Sequence, residues 1–306
     1  MKTLLITGAS GFLGGYLIEQ LSYIQEYKVL ALGTSKEKLQ RSFNHIQNID
    51  FFDLKDFENG KIPFKKIDTV IHLAFARMHK GESEIARGLN FTNDLFNQIT
   101  NWKVPSLINI STQEVYGNTS SPKLNEDILP APNTIYGFAK YVSELLANNV
   151  SLNGKTVIAN LRLAGLLGKE TDERMVSKFI DNAIKGMPIQ IIGGRQVFSQ
   201  LDVRDASSAI ISLLSVRYLE WKCIYNLGYL RSYSIVEIAE LVAEVARELT
   251  KQNIIININN SDSTINIELN SSRFYNDTNW KPQYDMKAII ESIFRFKLQR
   301  DTFEQI

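Results

Sequence analysis

Cysteine is nearly absent from this chain of 306 residues: Cys223 is the only one. No intrachain disulfide can form, so stability has to come from a buried apolar core, and a reducing, cytoplasmic setting is expected. Histidine is almost as scarce; His45, His72 and His79 have no spacing that resembles a metal site. An excess of charge is missing too. The 34 Lys and Arg balance 33 Asp and Glu, so no global field draws nucleic acid or an anionic membrane. No apolar run approaches the roughly 20 residues of a membrane helix. The N-terminal Leu4-Leu5-Ile6 is broken at once by Thr7-Gly8, too soon for a signal peptide. There is no internal repeat, no low-complexity linker and no G-x-S-x-G hydrolase turn.

What is present is an alternation. Short apolar runs at 3–7, 28–32, 46–52, 69–73, 106–110 and 157–161 read as strands, and amphipathic stretches at 12–24, 82–100 and 134–149 read as helices. Strand alternating with helix predicts an α/β fold, a doubly wound parallel (Rossmann) sheet. The second half is less regular. Gly165, Gly168, Gly186, Pro188, Gly193 and Gly194 punctuate it, and helices are expected at 174–185, 206–214 and 234–249. The alternating isoleucines of 253–270 suit a strand or two. Residues 1–163 are therefore expected to form a dinucleotide-binding domain, completed by segments near 198–228. Residues 164–306 should be mainly a smaller substrate-binding lobe, with ligands in the cleft beyond the carboxyl ends of the strands.

The most specific local feature is Thr7-Gly8-Ala9-Ser10-Gly11-Phe12-Leu13-Gly14, between the first strand and the first helix. Gly8 permits a tight turn, Gly11 a close backbone approach to a pyrophosphate, and Gly14 close helix–strand packing. The helix N-terminus then offers unpaired N–H groups to the phosphates. About 20 residues further on, where an NAD enzyme usually carries an acid for the ribose hydroxyls, the chain reads Leu32-Gly33-Thr34-Ser35-Lys36. With no acid there, Ser35 and Lys36, with Arg41, are candidates for a 2′-phosphate. Both NADP and NAD are open, and the balance favours NADP.

Glycine at every third position resembles the short-chain dehydrogenase/reductase superfamily. Further motifs resemble its extended branch, the NAD-dependent epimerase/dehydratase family of nucleotide-sugar enzymes. They are His72-Leu73-Ala74, Asn90, Ser111-Thr112-Gln113-Glu114-Val115-Tyr116-Gly117, Tyr136-Gly137-Phe138-Ala139-Lys140, Tyr225-Asn226-Leu227-Gly228 and Trp280-Lys281-Pro282. The resemblance implies that Asp53-Leu54 contact the adenine and that Leu73 and Ala74 lie under the cofactor. It implies a sugar-nucleotide substrate; a homodimer is compatible with it.

Tyr136 and Lys140 are four apart and share one face of a helix. A tyrosine of ordinary pKa, near 10, is a poor base at neutral pH. A neighbouring ammonium and an oxidised nicotinamide both favour its phenolate. Tyr136 can then exchange a proton with a substrate oxygen as hydride moves, and Lys140 can also hold the nicotinamide ribose. Thr112, at a strand's carboxyl end, is the expected third catalytic residue, with Ser111 as its alternative. Glu114 is expected either to act as a base or to bind substrate, or else to be a polar neighbour of the cleft. Related dehydratases carry Asp where this chain has Gln113, which cannot supply that proton. Two phosphate-gripping positions of the family also differ: Gly165 stands where many members have Asn, and Phe198 where they have Arg. Arg195, Arg204 or Arg273 could compensate, or be structural. The expected activity is hydride transfer at a sugar-nucleotide hydroxyl or keto carbon, as in a 4-epimerase or 4-ketoreductase. The alternatives are reduction of another carbonyl compound and a non-catalytic dinucleotide-binding regulator.

Overall fold

The computed structural model describes residues 1–76, 80–118, 123–169, 174–259 and 266–303. Its first elements are β1 (Lys2–Thr7), α1 (Phe12–Ser22), β2 (Tyr27–Leu32), α2 (Lys36–Phe43), β3 (Ile49–Phe52) and α3 (Leu54–Glu58). β4 (Thr69–His72), α4 (Glu82–Trp102), β5 (Ser106–Thr112), α5 (Ile135–Asn153) and β6 (Val157–Leu163) follow. The remainder comprises β7 (Gly165–Leu167), α6 (Met175–Ile184), β8 (Ile189–Ile192), β9 (Val197–Phe198), β10 (Gln200–Asp202), α7 (Val203–Ser215) and β11 (Ile224–Leu227). Last come β12 (Tyr233–Ser234), α8 (Ile235–Thr250), β13 (Ile256–Asn259), β14 (Asn266–Ile267), α9 (Ser272–Thr278) and α10 (Met286–Phe303).

Seven strands pair in the order β3-β2-β1-β4-β5-β6-β11, every pair parallel. The order reverses between β1 and β4, where Thr7 lies opposite His72. A crevice opens at such a reversal because successive connections leave to opposite faces of the sheet. The strands read as near-continuous apolar runs because helices cover both faces. Leu4 and Ile6 point to one face with α1 and α7, and Leu5 points to the other with Leu95 and Ile99 of α4. A separate core joins α6, α8 and α10, with Val176, Ile180, Val242, Ile290 and Phe294 at its centre.

The elements expected from sequence lie within a few residues of their bounds, whereas α2, α3, α9 and α10 carried no expectation. The instructive difference is β5, which was expected to end at residue 110 and runs to Thr112, with all seven residues buried. Polar Ser111 and Thr112 look like a strand exit, yet both continue the ladder opposite Arg162 and Leu163 of β6. Among the described residues no helix is long and apolar enough to cross a membrane.

Candidate active site

The turn after β1 fits a dinucleotide pyrophosphate. Gly8 has φ +68°, and a Cβ there would stand 2.8 Å from the Ala74 nitrogen. A Cβ on Gly14 would lie 2.3 Å from the Gly8 carbonyl oxygen, so α1 can approach this closely only with glycine. The Gly11 amide donates to Gly8 O at 2.9 Å. Gly11 caps α1 without a side-chain hydrogen bond, and no acid stands in the first turn. The positive end of α1 therefore faces the crevice. Leu13 is buried in the core, so only its backbone can serve a ligand. Phe12 reaches the other way, toward Gly168, where a Cβ would meet its ring at 2.9 Å.

Behind the turn runs a chain of hydrogen bonds that fixes His72. Thr92 Oγ1 donates to Gly88 O at 2.8 Å, so it must accept from His72 Nε2, 2.9 Å away. His72 Nδ1 is then the acceptor for Thr7 Oγ1 at 2.8 Å, and Thr7 Oγ1 accepts from the Ala74 amide at 3.2 Å. Burial, aided by the nearby charge of Lys140, pushes the His72 imidazole down to about 3. His72 is thus a neutral strut that holds Leu73 and Ala74 beneath the glycine turn. Asn90, two residues before Thr92 and so on the opposite side of α4, is exposed.

At the end of β2 the expected phosphate-binding residues have other partners. Ser35 caps α2 by accepting from the Lys38 amide, and its hydroxyl donates to Glu37 at 2.9 Å. Lys36 Nζ lies 3.7 Å from Asp56. Asp53 caps α3, accepting from the Asp56 amide at 2.9 Å, and Leu54 follows at the exposed rim.

The chemical residues gather where α5 meets the end of β5. Thr112 caps the short 3₁₀ turn Gln113–Tyr116, accepting from the Glu114 amide at 3.3 Å. Thr134 caps α5 and donates to Glu114 Oε2 at 3.1 Å, while a Cβ on Gly137 would lie 2.8 Å from Glu114 O. Tyr136 is held between those two contacts, so the first turn of α5 is docked on the Thr112–Glu114 segment. Burial raises the Glu114 carboxyl above the usual range; the Thr134 hydrogen bond and the charge of Arg174 pull it back in part. Gln113 is buried, with its amide aimed at Ser199 O at 3.4 Å.

Lys140 is 3% exposed and its Nζ sits 4.4 Å above the ring of Phe75. The same ring meets Tyr136 edge-on, with centroids 6.1 Å apart. Burial pushes Lys140 down to about 7, against the opposing pull of Glu144 one turn along α5. Glu144 is itself clamped by Arg162 of β6, with Nη2–Oε2 at 2.8 Å and Nε–Oε1 at 3.0 Å. Burial opposes the Arg162 charge, but the Glu144 hydrogen bonds and charge more than offset it. Ser111 donates to Glu144 as well, so its hydroxyl proton is turned toward α5. Arg162 also stacks on Tyr116, whose hydroxyl donates to Asn226 at 2.7 Å.

Two of the arginines considered for substrate phosphate are engaged elsewhere. Arg204 forks onto Asp202 and lies over the Tyr284 ring, and Arg273 pairs with Glu126 and Asp127. Arg195 is exposed. Sequence reasoning missed Phe75, Glu144 and Arg162. Glu144 had a signal, since it extends the Tyr136 and Lys140 face by one more turn; Phe75 follows directly on a recognised motif.

A family model described as the NAD dependent epimerase/dehydratase family matches residues 4–228. A trifunctional UDP-glucose 4,6-dehydratase/UDP-4-keto-6-deoxy-D-glucose 3,5-epimerase/UDP-4-keto-L-rhamnose-reductase of Arabidopsis thaliana is 26% identical over 270 residues. That match covers 80% of this chain but only 40% of the plant protein. The dTDP-D-glucose 4,6-dehydratase of Mus musculus is 26% identical over 306 residues, covering 94% of this chain and 81% of the mouse protein. Among solved structures, UDP-glucuronic acid 4-epimerase from Bacillus cereus, in complex with UDP-glucuronic acid and NAD, superposes with a TM-score of 0.80. It is 22% identical, and the match covers 97% of this chain and 99% of that one.

Proposed function

The chain belongs to the NAD-dependent epimerase/dehydratase family, and from that premise we propose that it is a sugar-nucleotide 4-epimerase. The observation that carries this reading is the docking of α5 on the Thr112–Glu114 segment, which sets Tyr136 and Lys140 beside a strand-end hydroxyl. Gly8, Ser10, Gly11 and the first turn of α1 hold the pyrophosphate, and Leu73 and Ala74 lie under the cofactor. Asp53 and Leu54 flank the adenine. When bound, the nicotinamide supplies first the acceptor and then the donor of the C4 hydride. Tyr136 accepts the proton of the C4 hydroxyl and later returns it to the same oxygen, inversion at C4 following from hydride return to the opposite face of the ketone. Lys140, when charged, favours the anion on Tyr136. Thr112 donates a hydrogen bond to the reacting oxygen. Gln113 cannot act as the acid of a water elimination, which argues for epimerisation over dehydration. Glu114, with its raised carboxyl, binds substrate or acts as a base in the same cleft.

For the cofactor, we take NAD over the NADP favoured by sequence. Ser35 is committed to capping α2, Lys36 leans on Asp56, and the Glu37 carboxylate at the same helix end would repel a 2′-phosphate. Titration with both cofactors checks this, and tighter binding of NADP would overturn it. Incubation with a panel of UDP- and dTDP-sugars tests the activity. An epimerase equilibrates the C4 stereoisomers with no net change in reduced-nicotinamide absorbance. One reduced cofactor consumed per product would identify a ketoreductase instead.

A further inference from the structure

Phe75 follows directly on Leu73 and Ala74, the pair against which Gly8 is pressed. Its ring faces Lys140 Nζ at 4.4 Å and meets Tyr136 edge-on at 6.1 Å. Gly88 of α4 also packs near it, where a Cβ would stand 3.8 Å from the ring. Phe75 thus touches both members of the Tyr136–Lys140 pair and the helix behind them. We propose that Phe75 is a positioning residue for the hydride-transfer site: its ring holds Lys140 beside Tyr136 and sets how firmly Lys140 keeps its proton. This rests on the reading of Tyr136 and Lys140 as the reactive pair.

The ring acts in two opposed ways. Its π face attracts an ammonium, and its bulk keeps water from one. The other groups around Lys140 are accounted for. On α5, Glu144 is held by Arg162 of β6, and Tyr136 is the reactive partner. At the end of β4, His72 is neutral. β5 presents the uncharged Ser111 and Thr112, with Glu114 on the following turn. α4 meets the Phe75 ring at Gly88, and Arg87 beside it pairs with Glu84. Changing Phe75 therefore changes the ammonium's surroundings without removing a charge.

The full chain carrying ¹³Cε-labelled lysine is titrated by NMR, with the Lys140 resonance assigned by its loss in Lys140→Met. Phe75→Leu keeps an apolar cover but removes the π face, so the Lys140 midpoint should fall by about 0.4–1.5 pH units. Phe75→Ala admits water, and the midpoint should rise toward the ordinary lysine value of about 10.4. Phe75→Tyr keeps both ring and cover and should stay near the parent. The limb of the kcat–pH profile that follows Lys140 should move in the same directions. An unmoved Lys140 midpoint in both the Leu and Ala variants would overturn the role of Phe75. The reading of the site itself fails differently: full turnover by Tyr136→Phe would remove it while leaving the lysine shifts in place.

Discussion

A phenol is a weak base in neutral water, and an ammonium dislikes burial; the candidate site puts both problems side by side. Lys140 is held close to half-protonation near pH 7 by burial, while Glu144 favours its charged form. General acid–base help is worth about 10²–10⁴-fold, so Tyr136→Phe should lose at least that much turnover while still binding cofactor. Thr112→Ala should lose less, because water can replace one hydroxyl; steady-state rates on the true substrate read both. Beneath the pair, Glu144→Gln would leave Arg162 charged and unpaired at 1% exposure. Breaking such a pair costs about 3–5 kcal/mol, which urea denaturation should register as a lower midpoint. Unchanged stability in Glu144→Gln would show that the clamp contributes nothing. Tyr136 and Lys140 were legible as a pair because a helix face is periodic, and Thr112 because of the motif around it rather than any period. Glu144 and Arg162 were not, because a pairing between a helix and a strand 18 residues on depends on how α5 lies across β5 and β6.

At the scale of elements, the strands and helices follow from their apolar periods, but their ends do not. β5 outruns its apolar run because the ladder with β6 continues under the polar Ser111 and Thr112. The 3₁₀ turn after it, which aims Glu114, had no periodic signal; only Gly117 marked its close. Gly117 has φ +61°, and a Cβ there would sit 1.9 Å from the Ala131 carbonyl oxygen. No side chain fits without moving the 131–134 segment that leads into α5. Backbone strain of this kind costs about 1–3 kcal/mol before the clash is counted. Gly117→Ala should therefore lower the unfolding midpoint, and it should depress kcat as well, because Thr134 and Glu114 part. A variant with parental stability and turnover would show that the turn has room to shift.

Across the whole molecule, the glycine turn, the sheet's switch point and α4 are tied through one imidazole. His72 links Thr7 of β1 to Thr92 of α4, and α4 packs along α5, which bears Tyr136. Sequence placed His72 in a motif but could not say that it is neutral, since that depends on two threonines 65 and 20 residues away. Its proton affinity gives the fold a pH dependence of definite sign. In the unfolded chain His72 has its ordinary value of 6.5, and in the folded protein it falls to about 3. Between those values the unfolded state binds the extra proton, so stability is fully present above pH 6.5 and is lost as pH falls toward 3. The slope approaches about 1.4 kcal/mol per pH unit, or about 2 kcal/mol between pH 7 and pH 5. Protonation would also set a donor against the Thr7 hydroxyl that now donates to Nδ1, loosening Ala74 beneath the glycine turn. His72→Gln should be less stable at pH 7 yet lose about 2 kcal/mol less than the parent on acidification to pH 5. Urea denaturation of both proteins at the two pH values isolates this contribution from every other titrating group. Parallel losses in parent and variant would mean that the imidazole accepts its proton in the folded state, and that the strut is not neutral.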